Sequence, residues 1–370
     1  MREIQSNPVC LVLGAGFSKC AGVPCQSEFS SRLLSPHFGS EIDQAITRTL
    51  SGFLKDVFGW KDGDPWPTLE DIFTCIDLSA NTGHHLGIKY TPKLLRAIRR
   101  MAIYRVFSVL DDEFNYSSDI VELLCHFLSE GQELAGAIVL NWDIVPEKHL
   151  AQLSVSPTVD YCCEATDWRN PERALPYQVP GRRTVRVCKM HGSSNWVYCE
   201  NCCALYYDLE HKLSLRSKVG LIKHDFRLFD EKFTGTTFNR HLGIAPQERK
   251  CPRCKNMVSS HIATFSYRKS FRTFAFSEIW HRAAEILAAA GHWVFIGYSL
   301  PSADFELKHL LKSAQLRFAH IPNSEKSIDV VSRGEAARAP YEALFGKAGL
   351  DYFGGGLAAY VAHLAGKSPV

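Results

Sequence analysis

The segment Val9–Pro24, VCLVLGAGFSKCAGVP, decides the fold class. Its first residues form an apolar run rich in Val and Leu that stops at Gly14-Ala15-Gly16, with Ser18, Gly22 and Pro24 close behind. A short, unbroken apolar run reads as a parallel strand covered on both faces. Glycine lets the chain turn with positive φ and lets a ligand approach the main chain, and the N–H groups that open the next helix favour an anion. The segment is therefore expected to form a strand, a tight phosphate-cradling loop and a helix. The dinucleotide fingerprint of hydride-transfer enzymes has a third glycine where this chain has Lys19, and the next glycine comes only at Gly22. The loop is thus not that of an ordinary dehydrogenase.

Outward from this loop, helical and strand-like patterns alternate. Ser27–Leu34, Leu69–Leu78, Lys93–Leu110 and Asp119–Leu128 carry apolar residues at helical spacing. Ala137–Leu140 and Val185–Met190 read as buried strands ending at Asn141-Trp142-Asp143 and at His191-Gly192. A helix over Ser277–Ala290 precedes the strand His292–Ile296, which ends at Gly297-Tyr298-Ser299-Leu300-Pro301. A helix at Ala303–Ala314, a strand at Ser327–Val331 and a helix over Ala336–Phe345 continue the series. The alternation predicts an α/β fold, a doubly wound, mostly parallel Rossmann-like sheet with helices on both faces. Open sheets of this kind place ligands at the carboxyl ends of their strands. Ser18 with its glycines, Asn141 with Asp143, and His191 are therefore expected to meet in one crevice.

Composition narrows the class further. The chain has 370 residues, 46% hydrophobic and 22% charged, with a formal net charge of +3. It contains no basic tract of the kind that grips nucleic acid, no signal-like leader and no apolar run of membrane-spanning length. Neither direct nucleic-acid binding nor membrane association is expected, and a cytoplasmic location is. In a chain of this length without a leader, thirteen cysteines read as thiols or metal ligands. Cys199-x-x-Cys202 and Cys251-x-x-Cys254 have knuckle spacing, and four thiolates suit a tetrahedral, structural Zn2+. Cys203 leaves the first pair open to a shift of register, and equal spacing in the two pairs favours Cys202. The irregular stretch 197–262 reads as an inserted zinc module between 1–196 and 263–370, which together form the Rossmann-like domain.

The ordered series GAGxS, NxD, HG, CxxC…CxxC and GxSL resembles the motif series of the sirtuin superfamily over nearly the whole chain. The resemblance implies NAD+ as the bound and consumed cofactor. Gly14, Ala15, Gly16, Ser18, Gly22 and Pro24 would form its phosphate and ribose loop, and Gly297, Ser299 and Leu300 would hold its adenosine side. Asn141 and Asp143 would line the nicotinamide ribose pocket, with His191 as the catalytic base. Cleavage of the nicotinamide–ribose bond develops positive charge at the anomeric carbon, which a nearby amide or carboxylate oxygen stabilises. An imidazole can accept a proton near neutral pH.

Two departures bear on the reaction. Family deacylases follow the proline of the first motif with an aromatic-Arg pair, whereas this chain has Cys25-Gln26-Ser27. They also carry an FGE-like segment after the zinc module, where this chain reads Phe265-Ser266-Tyr267-Arg268-Lys269-Ser270-Phe271. The forms LNWD and GYSLPSAD, with Leu69-Glu70-Asp71 before a helix, resemble the divergent bacterial branch that hydrolyses NAD+ in antiphage defence. The resemblance implies an NAD+ glycohydrolase, with an NAD-dependent protein deacylase and a non-catalytic NAD or ADP-ribose sensor as alternatives. It also implies a trigger, either self-assembly or an activating partner such as a ring ATPase or a nucleic-acid-guided protein.

Overall fold

The structure is a computed structural model that describes residues 7–34, 40–112, 114–129, 133–154, 156–168, 170, 172, 174–175, 181–207, 221–230, 250–262, 274–302, 304–318 and 326–366. At its centre stands a seven-stranded sheet. The strands are β1 (Val9–Leu13), β2 (Leu134–Val139), β3 (Thr158–Asp160), β6 (Thr184–Lys189), β10 (His292–Ile296), β11 (Ser327–Val331) and β12 (Leu350–Phe353). They lie in the order β12-β11-β10-β1-β2-β6-β3, and every neighbouring pair is parallel. All five residues of β1 are buried. Because successive side chains of a strand point to opposite faces, both faces of the sheet must be covered there. The predicted doubly wound Rossmann-like α/β architecture is what forms.

The covering helices follow from amphipathic patterns with local start and stop signals. In chain order they are α1 (Ala15–Lys19), α2 (Gln26–Arg32), α3 (Glu41–Phe58), α4 (Leu69–Thr82), α5 (Pro92–Asp112), α6 (Ser118–Leu128) and α7 (Val145–Gln152). Next come α8 (Lys223–Arg227), α9 (Phe274–Ala289), α10 (Phe305–Phe318), α11 (Arg338–Phe345) and α12 (Gly356–Leu364). Ser40 and Thr68 cap α3 and α4 by accepting from the N–H groups of Asp43 and Asp71 at 3.2 and 3.1 Å. Both helices stop at left-handed glycines, Gly59 and Gly83. The sequence reading does not name α3, although Ser40 and the apolar positions Ile42, Ile46, Phe53 and Leu54 mark it. No described helix is long and apolar enough to cross a membrane.

A second, five-stranded sheet has the order β5-β4-β8-β7-β9. It is built from β4 (Ala165–Asp167), β5 (Ala174–Leu175), β7 (Gly192–Tyr198), β8 (Leu205–Tyr207) and β9 (Ser259–Ile262). The four knuckle cysteines fall within 197–262, while their sheet also takes two strands from residues 165–175 and begins at Gly192. Tyr161 joins this sheet to the main body, meeting Trp196 and Tyr207 edge-on with ring centroids 5.5 and 4.7 Å away. Between β8 and β9, α8 docks on α5 through an ion pair in which Arg100 Nε, half-buried, lies 2.8 Å from Oδ2 of the buried Asp225.

Candidate functional site

A cleft of 540 Å³ opens at the carboxyl ends of β1, β2, β6, β10 and β11. The chain runs from β1 to β2 on one side and returns through β10 on the other, so the cleft occupies the topological switch point. Gly14, Ala15, Gly16, Ser18, Pro24, Asn141, Asp143, His191, Gly297 and Ser299 all line it. Gly22 and Leu300 do not. Gly22, at φ +83°, closes the turn after α1, and Leu300, at φ +53°, sends its side chain into the core. The segment Phe265–Phe271 lies outside the described residues.

The floor of the cleft is backbone against backbone. The N–H of Gly16 donates to the carbonyl of Gly297 at 2.8 Å, and that of Gly14 to the carbonyl of Ile296 at 3.0 Å. Gly297 has φ +63°, and a Cβ there would lie 2.2 Å from the Phe17 nitrogen. A Cβ on Gly14 would lie 2.6 Å from the Gly297 oxygen. Only glycines permit this approach, and it holds the opening of α1 at the cleft floor.

On the β2–β6 side each polar group is fixed by backbone or buried partners. Asn141 Nδ2 donates to the Gly14 carbonyl and to Ser18 Oγ, both at 2.9 Å. A carbonyl can only accept, so the amide must present its nitrogen to the loop and its oxygen the other way. Asp143 Oδ1 accepts from the N–H of Val145 at 3.0 Å, and thereby starts α7. Lys189, fully buried on β6, donates to the main-chain oxygen of Asp143 and stands 3.5 Å from Glu147. Burial pushes the Glu147 carboxyl above its usual range, against the opposing pull of Lys189. His191 Nδ1 meets the Leu140 carbonyl at 3.0 Å. That carbonyl requires the proton on Nδ1, which makes Nε2 the basic nitrogen of the neutral ring. Trp280 of α9 steadies the same strand end by donating to the Met190 carbonyl at 3.2 Å.

The β10–β11 side is more open. Tyr298 donates to Asp304 at 2.9 Å and Tyr341 donates to the Tyr298 carbonyl at 2.9 Å, so this turn is anchored from below while Ser299 stays exposed. Sequence reasoning missed several lining residues here and at the mouth, among them Lys19, Cys20, Cys25, Trp142, Ser332 and Arg333. The signal that could have found the last two is their place just after β11. Cys20 and Cys25 are raised above the ordinary thiol range, chiefly by burial, so they sit in the cleft as thiols rather than as thiolates.

The sulfurs of Cys199, Cys202, Cys251 and Cys254 lie within 4.8 Å of one another, with Cys199 3.4 Å from Cys254 and Cys202 3.5 Å from Cys251. A tetrahedral Zn2+ with bonds of about 2.3 Å needs sulfurs about 3.8 Å apart, so this set fits the ion. Cys203 is exposed in a left-handed turn and outside the cluster, which resolves the register in favour of Cys202.

Fold and cleft together define a Rossmann-like α/β protein with a four-cysteine sheet attached. No protein-family model matches the chain. No curated protein matches it. Among solved structures it is similar to one that addresses the mechanism and regulation of Sir2 enzymes, at 13% identity and TM-score 0.44, covering 98% of this chain and 92% of that one. It is similar also to a Sir2 structure with a p53 peptide and NAD+, at 13% identity and TM-score 0.45, with 98% and 93% covered. A third, Sir2 bound to an acetylated peptide, gives 13% identity and TM-score 0.40 over 98% and 93%.

Proposed function

We propose that this protein is a sirtuin-like NAD+ glycohydrolase that releases nicotinamide and ADP-ribose. The observation that carries the reading is the paired presentation of Asn141 and His191. The His191 imidazole is held in one tautomer by the residue preceding Asn141, and the Asn141 amide is held in one orientation by the glycine loop. In this reading the C1′–N bond of NAD+ breaks and its electron pair leaves with nicotinamide. The oxygen of water bonds to C1′, and its proton passes to His191 Nε2. Asn141 Oδ1 orients the water and stabilises the oxocarbenium-like charge at C1′, and Asp143 positions the nicotinamide end. Cys25-Gln26 in place of an aromatic-Arg pair favours hydrolysis over acyl transfer. Cys199, Cys202, Cys251 and Cys254 would hold a structural Zn2+ that ties two hairpins together.

Such an activity depletes a shared cofactor, which fits a role in antiphage defence and demands control, by self-assembly or by an activating protein partner. The test is turnover of NAD+ by the purified protein, alone and with the products of neighbouring genes, with no acyl peptide present. Asn141→Ala and His191→Ala are each expected to lower nicotinamide release about 100-fold or more without unfolding the protein. Strict dependence on an acetyl-lysine peptide would move the assignment to a deacylase. Full turnover in both variants would remove the site.

A further inference from the structure

The open half of the cleft ends in a cation. β11 finishes at Val331, and Ser332 and Arg333 follow as lining residues. The backbone of this turn is fixed to the neighbouring strand. Ser332 N–H donates to the Phe353 carbonyl at 3.1 Å, Gly334 N–H to the Gly354 carbonyl at 2.9 Å, and Tyr352 hydroxyl to the Gly334 carbonyl at 2.8 Å. The Arg333 stem crosses Gly356, where a Cβ would lie 3.1 Å from Arg333 Cγ. Among the described residues Arg333 forms no ion pair, whereas the nearby Arg338 lies on Glu335 and over the Tyr352 ring. Its charge reaches the opposite wall, working against burial at the thiols of Cys20 and Cys25.

The carboxylates of the cleft are placed elsewhere. Of the acidic lining residues, Asp143 belongs to the β2 end, Glu70 to α4, and Asp304, which accepts from Tyr298, to the start of α10. The acid that follows β11, Glu335, is held by Arg338 and does not line the cleft. In Rossmann-like sites a carboxylate at an adenosine-side strand end takes the ribose 2′-hydroxyl and selects NAD+, whereas an arginine there accommodates a 2′-phosphate. A guanidinium matches a phosphate with two parallel N–H donors, and a hydroxyl such as that of Ser332 adds a third.

We propose that Arg333, with Ser332, binds the 2′-phosphate of a phosphorylated dinucleotide, so that NADP+ is held more tightly than NAD+. This rests on the dinucleotide reading of the cleft and names its substrate class. The test is calorimetric binding of NAD+ and of NADP+ to the His191→Ala protein, which removes the base and so prevents consumption. NADP+ is expected to bind about 10- to 100-fold more tightly than NAD+, the range of a charge-assisted contact. Adding Arg333→Ala is expected to abolish that preference while leaving NAD+ affinity within about twofold, and Arg333→Lys to keep part of it. Equal affinity for the two nucleotides overturns the proposal. So does an equal loss for both in Arg333→Ala, which would put the guanidinium on the shared pyrophosphate. Failure of both nucleotides to bind would remove the dinucleotide reading itself, whereas binding of NAD+ and NADP+ without discrimination removes only the assignment of Arg333.

Discussion

The two halves of the cleft are built by opposite means. At the ends of β2 and β6, Asn141, Asp143, Lys189 and His191 are each oriented by a backbone partner, and all but Asn141 are buried. At the ends of β10 and β11 the wall is a glycine-to-glycine backbone contact, rimmed by the exposed Ser299 and Arg333. A group that reacts must be pre-positioned within a fraction of an ångström, and burial with fixed hydrogen bonds achieves that. A half that only grips a nucleotide needs close backbone approach and charge, and can remain wet. The difference separates chemistry from anchoring, and substitutions on the two sides should separate in the same way.

The largest effect is expected from Gly297→Ala. Its Cβ would sit 2.2 Å from the Phe17 nitrogen and 2.3 Å from the Gly16 carbonyl carbon, so either β10 or the start of α1 must move. Nucleotide binding should be lost and the melting temperature should fall. Gly59→Ala is the matched control. Its φ of +65° is nearly the same as the +63° of Gly297, yet nothing lies within 4 Å of its Cβ position. The control should show only the conformational penalty, about 1 kcal/mol. Similar behaviour of the two variants would mean that the glycine contact is incidental to the cleft.

Lys189→Met tests the buried half. Removing the ammonium leaves the buried Glu147 without its ion-pair partner, a loss expected to destabilise by about 3 kcal/mol in denaturant titrations. Adding Glu147→Gln should restore most of that stability, because the isolated charge is gone. Turnover should stay low in the double variant, since nothing then holds the Asp143 carbonyl from below. Recovery of turnover together with stability would reduce Lys189 to a folding role.

The legible parts of the molecule are those where chemistry follows chain order. β1, β2 and β10 announce themselves as short, largely apolar runs because a strand covered on both faces has little reason to carry polar residues. The strand-end residues Asn141 and His191 were legible for the same reason, since a polar residue that abruptly follows such a run marks a carboxyl end. The knuckle cysteines were legible through spacing, although only the exposed turn at Cys203 decides the register. What stayed hidden depends on pairing between distant residues. Lys189 and Glu147 become a buried pair only when β6 and α7 are in place. Arg333 looks like an ordinary surface arginine until its strand is ordered beside β10. β12, with four residues, is too short to show a period.

The smallest expected effect separates two buried histidines, His149 and His191. His149, on α7 beneath the buried half, donates from Nδ1 to the Val145 carbonyl at 2.7 Å and accepts at Nε2 from the N–H of Ser117 at 3.0 Å. Both nitrogens are engaged, and the accepting one must lose its bond if it takes a proton. Burial lowers the His149 pKa, with Lys148 adding to the effect and Asp143 opposing it. A depressed folded pKa means that this stability is complete above the unfolded value of about 6.5 and is lost as the pH falls from there through the folded value. The expected slope is at most about 1.4 kcal/mol per pH unit, one proton's worth. His149→Gln should flatten that acid limb of the stability curve and leave turnover near neutral pH close to wild type. His191→Ala should do the reverse, abolishing turnover and leaving the acid limb in place. An acid limb unchanged in His149→Gln would assign the titration to another group.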